Sequence, residues 1–353
     1  IKESLLTKDY KEILKDDEID LIIELIGGYE PARTIILDSL NAKKHVVTAN
    51  KAVIAKHGKE IFDAAEKNNV KINFEAAVGG CIPIIKTIRE SYSSDKITAI
   101  YGILNGTTNY ILSRMEEGQS YDESLKKAQE LGFAEADPTF DVEGIDAAQK
   151  IVILSRLAYN SFIDLDIPIT GITKLKKSDL QYAKELGYKI KLLAISKLDK
   201  ELDIRVQPVM IPLKHGLSAV NEEINAAYIT SEQTKETMLY GRGAGKLPTA
   251  TVVVSDIVDI ANNNHDGSEF FNEIKIKNQD DILSRFYLRL MLVDKPGVLA
   301  QFTKILGENN ISINAVSQKE EQKDVVPVIV ITHKVKYGDI KKALKEIKDL
   351  EVV

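Results

Sequence analysis

Between Asp20 and Glu75 the apolar runs "DLIIELIGG", "HVVTANK" and "VKINFEAAVGG" alternate with the amphipathic stretches "PARTIILDSLNAKK" and "AVIAKHGKEIFDAAEKNN". No other feature restricts the fold so tightly. Strands separated by helices of that length can return to one sheet only by crossing over it, which makes the neighbours parallel. Each strand ends in small or polar residues: Gly27 and Gly28, then Thr48, Asn50 and Lys51, then Gly79 and Gly80. In open parallel sheets ligands bind beyond the carboxyl ends of the strands, so this edge is expected to be a binding crevice. Such domains usually open with a strand and a G-x-G-x-x-G turn, and no such motif stands before Asp20. The expectation is therefore that Ile1 lies just downstream of that element in a longer protein, and that residues 1–95 are the remainder of the domain.

A chain of 353 residues exceeds one ordinary core, so two or three domains are expected. A formal net charge of -6 without basic clusters speaks against nucleic-acid and anionic-membrane partners. No apolar run approaches the ~18 residues of a membrane span. The single cysteine, Cys81, cannot form an intrachain disulfide and has no base beside it, which makes it a packing residue in a reducing cytoplasm. The five histidines stand singly and suggest neither a metal site nor a triad.

The second regime, residues 96–279, begins with the strand-like "KITAIYGILNGTTNYIL", where Asn105-Gly106 reads as a turn and Thr107 or Thr108 as the cap of the next helix. Helical patterns follow at Tyr121–Leu131 and Ile145–Tyr159, then a strand-rich part from "LDIRVQPVMIPL". In "YGRGAGKLPTA", Gly241, Gly243 and Gly245 precede a helix near 248–264 that is expected to pack back on the first domain. The glycines fit a flexible turn or a loop that a ligand approaches, since a helix N-terminus favours anions. After a polar connection at 264–284, residues 285–353 read as strand, helix, strand, strand, helix and a last strand "LEVV", the ferredoxin-like βαββαβ order.

The block "AEADPTFDVEGIDAAQK", residues 134–150, sets five carboxylates before one lysine. Asp146 and Lys150 are four apart in acid-before-base order and share a helix face. From Ile151 to Ala158 the helix is apolar nearly all round, the mark of a buried helix, so Lys150 is read as sitting at its mouth and able to exchange a proton in a closed site. Pro138 and Gly144 keep the preceding acids on irregular chain, where they can converge. A divalent-metal site, a solvated acidic turn and a pocket for an ammonium group compete. The metal reading lacks calcium-loop spacing and a nearby histidine.

The segments "ELIGGYEPAR", "VVTANKAVIA", "FEAAVGGCIPII", "GILNGTTNYIL", "LGFAEADPTFDVEGIDAAQK" and "GRGAGKLPTA", in this order, resemble homoserine dehydrogenase, and "DKPGVLAQFTKIL" resembles the turn and first helix of an ACT domain. The resemblance implies an α/β protein: an incomplete Rossmann-like parallel-sheet domain, an α+β catalytic domain and a C-terminal ferredoxin-like ACT domain at 285–353. It implies reversible, NAD- or NADP-dependent interconversion of homoserine and aspartate 4-semialdehyde in amino-acid biosynthesis. A chain without the glycine turn is expected to hold that cofactor poorly.

By position in the family's motifs, Lys150 is implied as general acid and base, Asp146 as the residue orienting it, and Lys51 as the second active-site lysine. Glu135, Asp141, Asp146 and Thr107 are implied for the substrate, with Asn105 and Gly106 beside the reacting carbon. Gly27, Thr48, Asn50, Lys51, Gly132, Gly241 and Gly243 are implied for the cofactor. Backbone carbonyls of Glu75, Val78, Gly80 and Ile82 are implied for a sodium-like monovalent cation. The ACT turn, Asp294, Gly297, Val298 and Leu299, with Asn314, is implied as a regulatory site for threonine in a homodimer or homotetramer. Other hydroxy-acid dehydrogenases are the nearest enzyme alternative. An amino-acid-sensing regulatory protein on the same scaffold is the alternative of another class, and it would have no use for a proton-transfer lysine.

Overall fold

A computed structural model describes residues 2–262, 273–318 and 324–352, so residues 264–272 of the polar connection and the last two residues of the helix expected at 248–264 lie outside the described residues. The chain forms two compact units, Ile1–Lys177 with Lys189–Lys275, and Ser178–Tyr188 with Ile276–Val353. The short segment 178–188, read from sequence as part of the middle of the chain, thus groups with the C-terminal unit.

In the first unit α1 (Tyr10–Leu14) precedes a parallel sheet of β1 (Leu21–Glu24), β2 (His45–Thr48) and β3 (Ile72–Asn73), in that order. The crossovers are α2 (Ala32–Asn41) and α3 (Lys51–Lys67). Hydrogen bonds stitch the strand ends together: Thr48 donates to Glu24 at 2.6 Å, and the Asn50 amide donates to the Gly28 carbonyl at 2.8 Å. Asn50 also caps α3 by accepting the Val53 amide.

After a short α4 (Ile84–Lys86), β4 (Ile97–Ile103) enters a second sheet. Then come α5 (Gly106–Glu116), α6 (Tyr121–Glu130), α7 (Thr139–Val142), α8 (Ile145–Tyr159) and α9 (Lys177–Glu185). The sheet is completed by β5 (Tyr188–Leu198), β6 (Leu202–Pro212), β7 (Ile224–Ser231) and β8 (Glu236–Arg242), in the order β6-β5-β4-β7-β8. Every residue of α8 from Asp146 to Arg156 is buried, as expected for a helix whose run Ile151–Leu154 is wholly apolar, and the polar ones among them are buried with it. Asn105, not Thr107 or Thr108, caps α5: its side chain accepts the Thr108 amide, and the two threonines lie inside the helix. α10 (Lys246–Ala261) folds back on the parallel sheet, where Val253 and Ile260 bury against Val47.

In the C-terminal unit β9 (Leu283–Ser284) and β10 (Tyr287–Val293) precede α11 (Val298–Glu308), β11 (Ile313–Gln318), β12 (Val325–Thr332), β13 (Val335–Lys336) and α12 (Tyr337–Lys348). β12 lies between β10 and β11, antiparallel to both. Phe302, Leu306, Ile340 and Ala343 of the helices bury against Leu288, Leu290, Val328 and Val330 of the sheet. Among the described residues the expected last strand does not form: residues 350–352 make a bend and turn, with one backbone bond from the Val293 amide to the Val352 carbonyl, while β9 and β13 make a separate two-stranded ladder; Val353 lies outside the described residues.

Candidate active site

Asp146 and Lys150 lie one turn apart at the start of α8, directly after Gly144, which takes the left-handed conformation (φ 84°) that turns the chain into the helix. Lys150 Nζ donates to Asp146 Oδ2 at 2.7 Å and to the Leu104 carbonyl at 2.6 Å. On the other side of the carboxylate, Lys51 Nζ lies 3.1 Å from Asp146 Oδ1. Lys51 comes from the first turn of α3, also stands 5.7 Å from the centre of the Phe140 ring, and is one-third exposed where Lys150 is almost closed off. Asn105 completes the cluster, its amide donating to Asp146 at 2.9 Å and to Asp141 at 2.7 Å.

Electrostatics divides the two aspartates. Burial opposes ionisation of Asp146, yet the charges of Lys150 and Lys51 and the bonds from Lys150 and Asn105 outweigh it and hold the carboxyl down to about 2. Asp141 lacks an ion pair of this kind; burial raises its pKa, and the charge of Asp146 adds to the rise. An ammonium has three hydrogens, and the backbone and Asp146 occupy two on Lys150. The third is available to an incoming oxygen.

The other implied substrate residues are less closely gathered. Thr107 donates to the Phe133 carbonyl at 2.6 Å, so it fastens the start of α5 to the chain that leads into the acidic block. Glu135 is exposed, and its own carbonyl accepts from Gln129. The structure therefore brings Lys51, Asn105, Thr107, Asp141, Asp146 and Lys150 together and leaves Glu135 on the rim.

Along the sheet edge, a Cβ on Gly27 or Gly28 would meet nothing within 4 Å, and both residues have positive φ, so the turn after β1 is an open backbone cradle. Gly132, exposed and left-handed, ends α6. Gly241 and Gly243 pack against the loop after β3: a Cβ on Gly80 would lie 2.4 Å from the Gly243 carbonyl, and one on Gly243 would strike the Asn225 amide at 2.2 Å. These glycines thus serve close backbone packing as well as any approach by a ligand. Asn225 was not evident from sequence; it donates to the Leu104 carbonyl at 3.1 Å, the same oxygen that holds Lys150. A backbone carbonyl leaves no mark in sequence, so neither partner could be read there.

At the implied cation loop, the Glu75 side chain accepts the Ile85 and Lys86 amides at 2.8 and 2.7 Å. The carbonyls of Glu75 and Ile82 accept the amides of Val78 and Ile84. Cys81 donates to the Arg242 carbonyl at 3.1 Å.

In the C-terminal unit Gly297 is left-handed and starts α11, Val298 is buried and Leu299 is exposed. Gln318, at the end of β11, donates to Asp294 at 3.0 Å, whereas Asn314 sits at the beginning of that strand.

The match to known proteins is extensive. The family model described as "Homoserine dehydrogenase, NAD binding domain" matches residues 2–75, "Homoserine dehydrogenase" matches 83–258 and "ACT domain" matches 286–352. The chain is 41% identical to the homoserine dehydrogenase of Bacillus subtilis over 100% of its own length and 84% of the relative's. It is 43% identical to that of Pseudomonas aeruginosa over 99% and 84%. The chain belongs to the homoserine dehydrogenase family. Among solved structures, the homoserine dehydrogenase of Thiobacillus denitrificans superposes with a TM-score of 0.93 at 40% identity, covering 98% of this chain and 83% of that one. A hyperthermophilic archaeal homoserine dehydrogenase in complex with NADPH matches with a TM-score of 0.64 at 28% identity over 74% and 77%. The NAD-binding, homoserine dehydrogenase and ACT family models thus follow one another along the chain.

Proposed function

We propose that the protein interconverts L-homoserine and L-aspartate 4-semialdehyde with NAD or NADP, and that Lys150 moves the proton. The carrying observation is the Lys150 ammonium itself, buried, with two hydrogens fixed by Leu104 and Asp146 and one left for the substrate oxygen. The bound nicotinamide supplies or accepts the hydride. As negative charge develops on the aldehyde oxygen, Lys150 neutralises it by donating a proton; in the oxidative direction Lys150 takes that proton back. Asp146 stays ionised throughout and orients both lysines.

Lys51, the more exposed lysine, is placed to hold the substrate carboxylate, and Asp141 with Glu135 on the rim to hold the substrate ammonium. The open cradle at Gly27, with Thr48, Asn50, Gly132, Gly241 and Gly243, suits the cofactor. Carbonyls of Glu75, Val78, Gly80 and Ile82 suit a hard monovalent cation; those of Glu75 and Ile82 already accept one turn amide each and keep a second lone pair. The ACT domain joins copies of the chain and takes threonine near Asp294, Gly297, Val298, Leu299 and Asn314.

The test is absorbance of reduced cofactor as the purified protein meets L-homoserine with NAD or NADP, repeated with threonine. Homoserine-dependent reduction that threonine lowers is the expected outcome. Failure to reduce either cofactor would overturn the reaction, and indifference to threonine together with no heat on calorimetric titration would remove the effector.

A further inference from the structure

Arg156 is the largest side chain among the most deeply buried ones, 2% exposed, and lies at the far end of α8 from the catalytic pair. Its guanidinium makes four hydrogen bonds, all to main-chain carbonyls. Nε and Nη2 donate to Ile163 at 2.9 and 2.6 Å, Nη1 to Ile54 at 2.9 Å, and Nη2 to Ala55 at 2.7 Å. The ring of Phe162 stacks 4.5 Å from it. Ile163 belongs to the chain that turns back after α8, and Ile54 and Ala55 lie in the second turn of α3. One planar group thus joins α8, the segment that follows it and α3.

Gly58 makes room for this contact: a Cβ there would lie 3.0 Å from Arg156 Nη1 and 3.3 Å from the Phe62 ring. Burying a cation among carbonyls is an expensive way to join two helices, because a leucine or methionine would bury apolar surface without desolvating a charge. What the guanidinium adds is direction. Its rigid fork fixes both the slide and the rotation of one helix on the other, which apolar contacts leave softer. These two helices carry the reactive groups: Lys51 is three residues before Ile54 on α3, and Asp146 and Lys150 are on α8.

We propose that Arg156 is a positioning residue for the reaction, one that registers α3 on α8 and so holds the Lys51 ammonium against Asp146, ready for the substrate carboxylate. The proposal rests on the roles of Lys51 and Asp146 given above. It assigns Gly58 a part as well, since a Cβ there would press on Arg156 Nη1 and make the fork give by a few tenths of an ångström.

The experiment is a double-mutant cycle between Arg156→Met and Lys51→Ala, read as KM for homoserine, kcat and cofactor Kd, with melting temperature followed in parallel. Arg156→Met should raise KM by on the order of tenfold while cofactor Kd stays put, because small misplacements of a binding group are costly. Arg156→Lys should recover part of the loss, keeping donors but not the fork. In the Lys51→Ala background Arg156→Met should cost little more, since the group it positions is gone. Wild-type KM and kcat in Arg156→Met, with only a lower melting temperature, would reduce Arg156 to a structural residue. An additive cycle would overturn the clamp alone, whereas a silent Lys51→Ala would overturn the site reading and the clamp with it. If Arg156→Met does not fold, Gly58→Ala retains the arginine and presses on it; raised KM in a folded Gly58→Ala supports the clamp, and unchanged constants refute it.

Discussion

Two buried charge clusters in the same unit treat carboxylates in opposite ways. At the head of α8, Asp146 meets Lys150, Lys51 and Asn105 directly, and its pKa falls to about 2. Behind β3, burial drives Glu75 up to about 7 and Asp256 up to about 6. That second cluster also contains cations, Lys86, which holds Asp259 at 2.8 Å, and Arg89, which stands over the Phe74 ring at 4.8 Å. The charge of Arg89 favours ionisation of Glu75 and Asp256, and that of Lys86 favours ionisation of Asp256, yet burial outweighs them. Asp256 accepts the Glu75 amide at 2.9 Å, a neutral donor. Burial is common to both places, so depth does not decide the charge state. The balance against burial does: two ammonium groups at about 3 Å outweigh desolvation at Asp146, whereas the amide bonds and the Arg89 charge do not outweigh it at Glu75 and Asp256.

Three substitutions would break or sharpen that contrast. The largest effect belongs to Lys150→Ala, which should lower turnover at least ~100-fold while the protein stays folded, since Asp146 keeps Lys51 and Asn105. Steady-state kinetics beside circular dichroism decide it; a variant keeping more than about a tenth of the activity would exclude proton transfer by this lysine. Next is Asp146→Asn, which strands two ammonium groups and should cost about 3–5 kcal/mol in urea unfolding at pH 7. Its pH signature follows from the sign of the shift. A carboxyl with a lowered native pKa contributes stability above about pH 4, where the unfolded group ionises, and loses it as pH falls toward about 2. The stability gap between wild type and Asp146→Asn should therefore narrow over that interval; a gap constant from pH 7 to 2 would mean that the ion pair does not account for it.

The smallest effect has the opposite sign. With native pKa values raised, Glu75 and Asp256 bind more protons in the folded than in the unfolded state between about pH 4 and 7, so their contribution to stability declines as pH rises through that window. Asp256→Asn is neutral at every pH and can still accept the Glu75 amide. It should flatten the decline between about pH 4 and 6, and leave the variant up to ~3 kcal/mol more stable than wild type at pH 7. Unfolding curves at several pH values measure it, and parallel stability profiles for the two proteins would remove the difference between the clusters.

Much of this arrangement was legible beforehand. The alternation of β1, α2, β2 and α3 announces a parallel sheet because period and length leave few alternatives, and the apolar run after Lys150 announces a buried helix for the same reason. The i, i+4 spacing alone places Asp146 beside Lys150. Boundaries were harder. Asn105 rather than a threonine caps α5, since only a side chain just before the helix reaches back over its free amides, and residues 350–352 form no ladder, with a single backbone bond tying them to Val293.

Sequence by itself determined the order of the domains, the family and the residue types of the proton-transfer site, because periodicity and motif spacing act over a few turns of chain. Tertiary structure alone decided which charges meet. Lys51 reaches Asp146 across 95 positions of sequence, Leu104 presents a carbonyl to Lys150, and Arg156 finds three carbonyls on two other segments. Glu75 and Asp256, acids like Asp146, are driven toward neutrality because the burial that the fold imposes outweighs the amide bonds and the Arg89 charge that favour their ionised forms. Such contacts depend on distances of about 3 Å between parts of the chain that local pattern does not relate, and at that range the sign of a pKa shift is set.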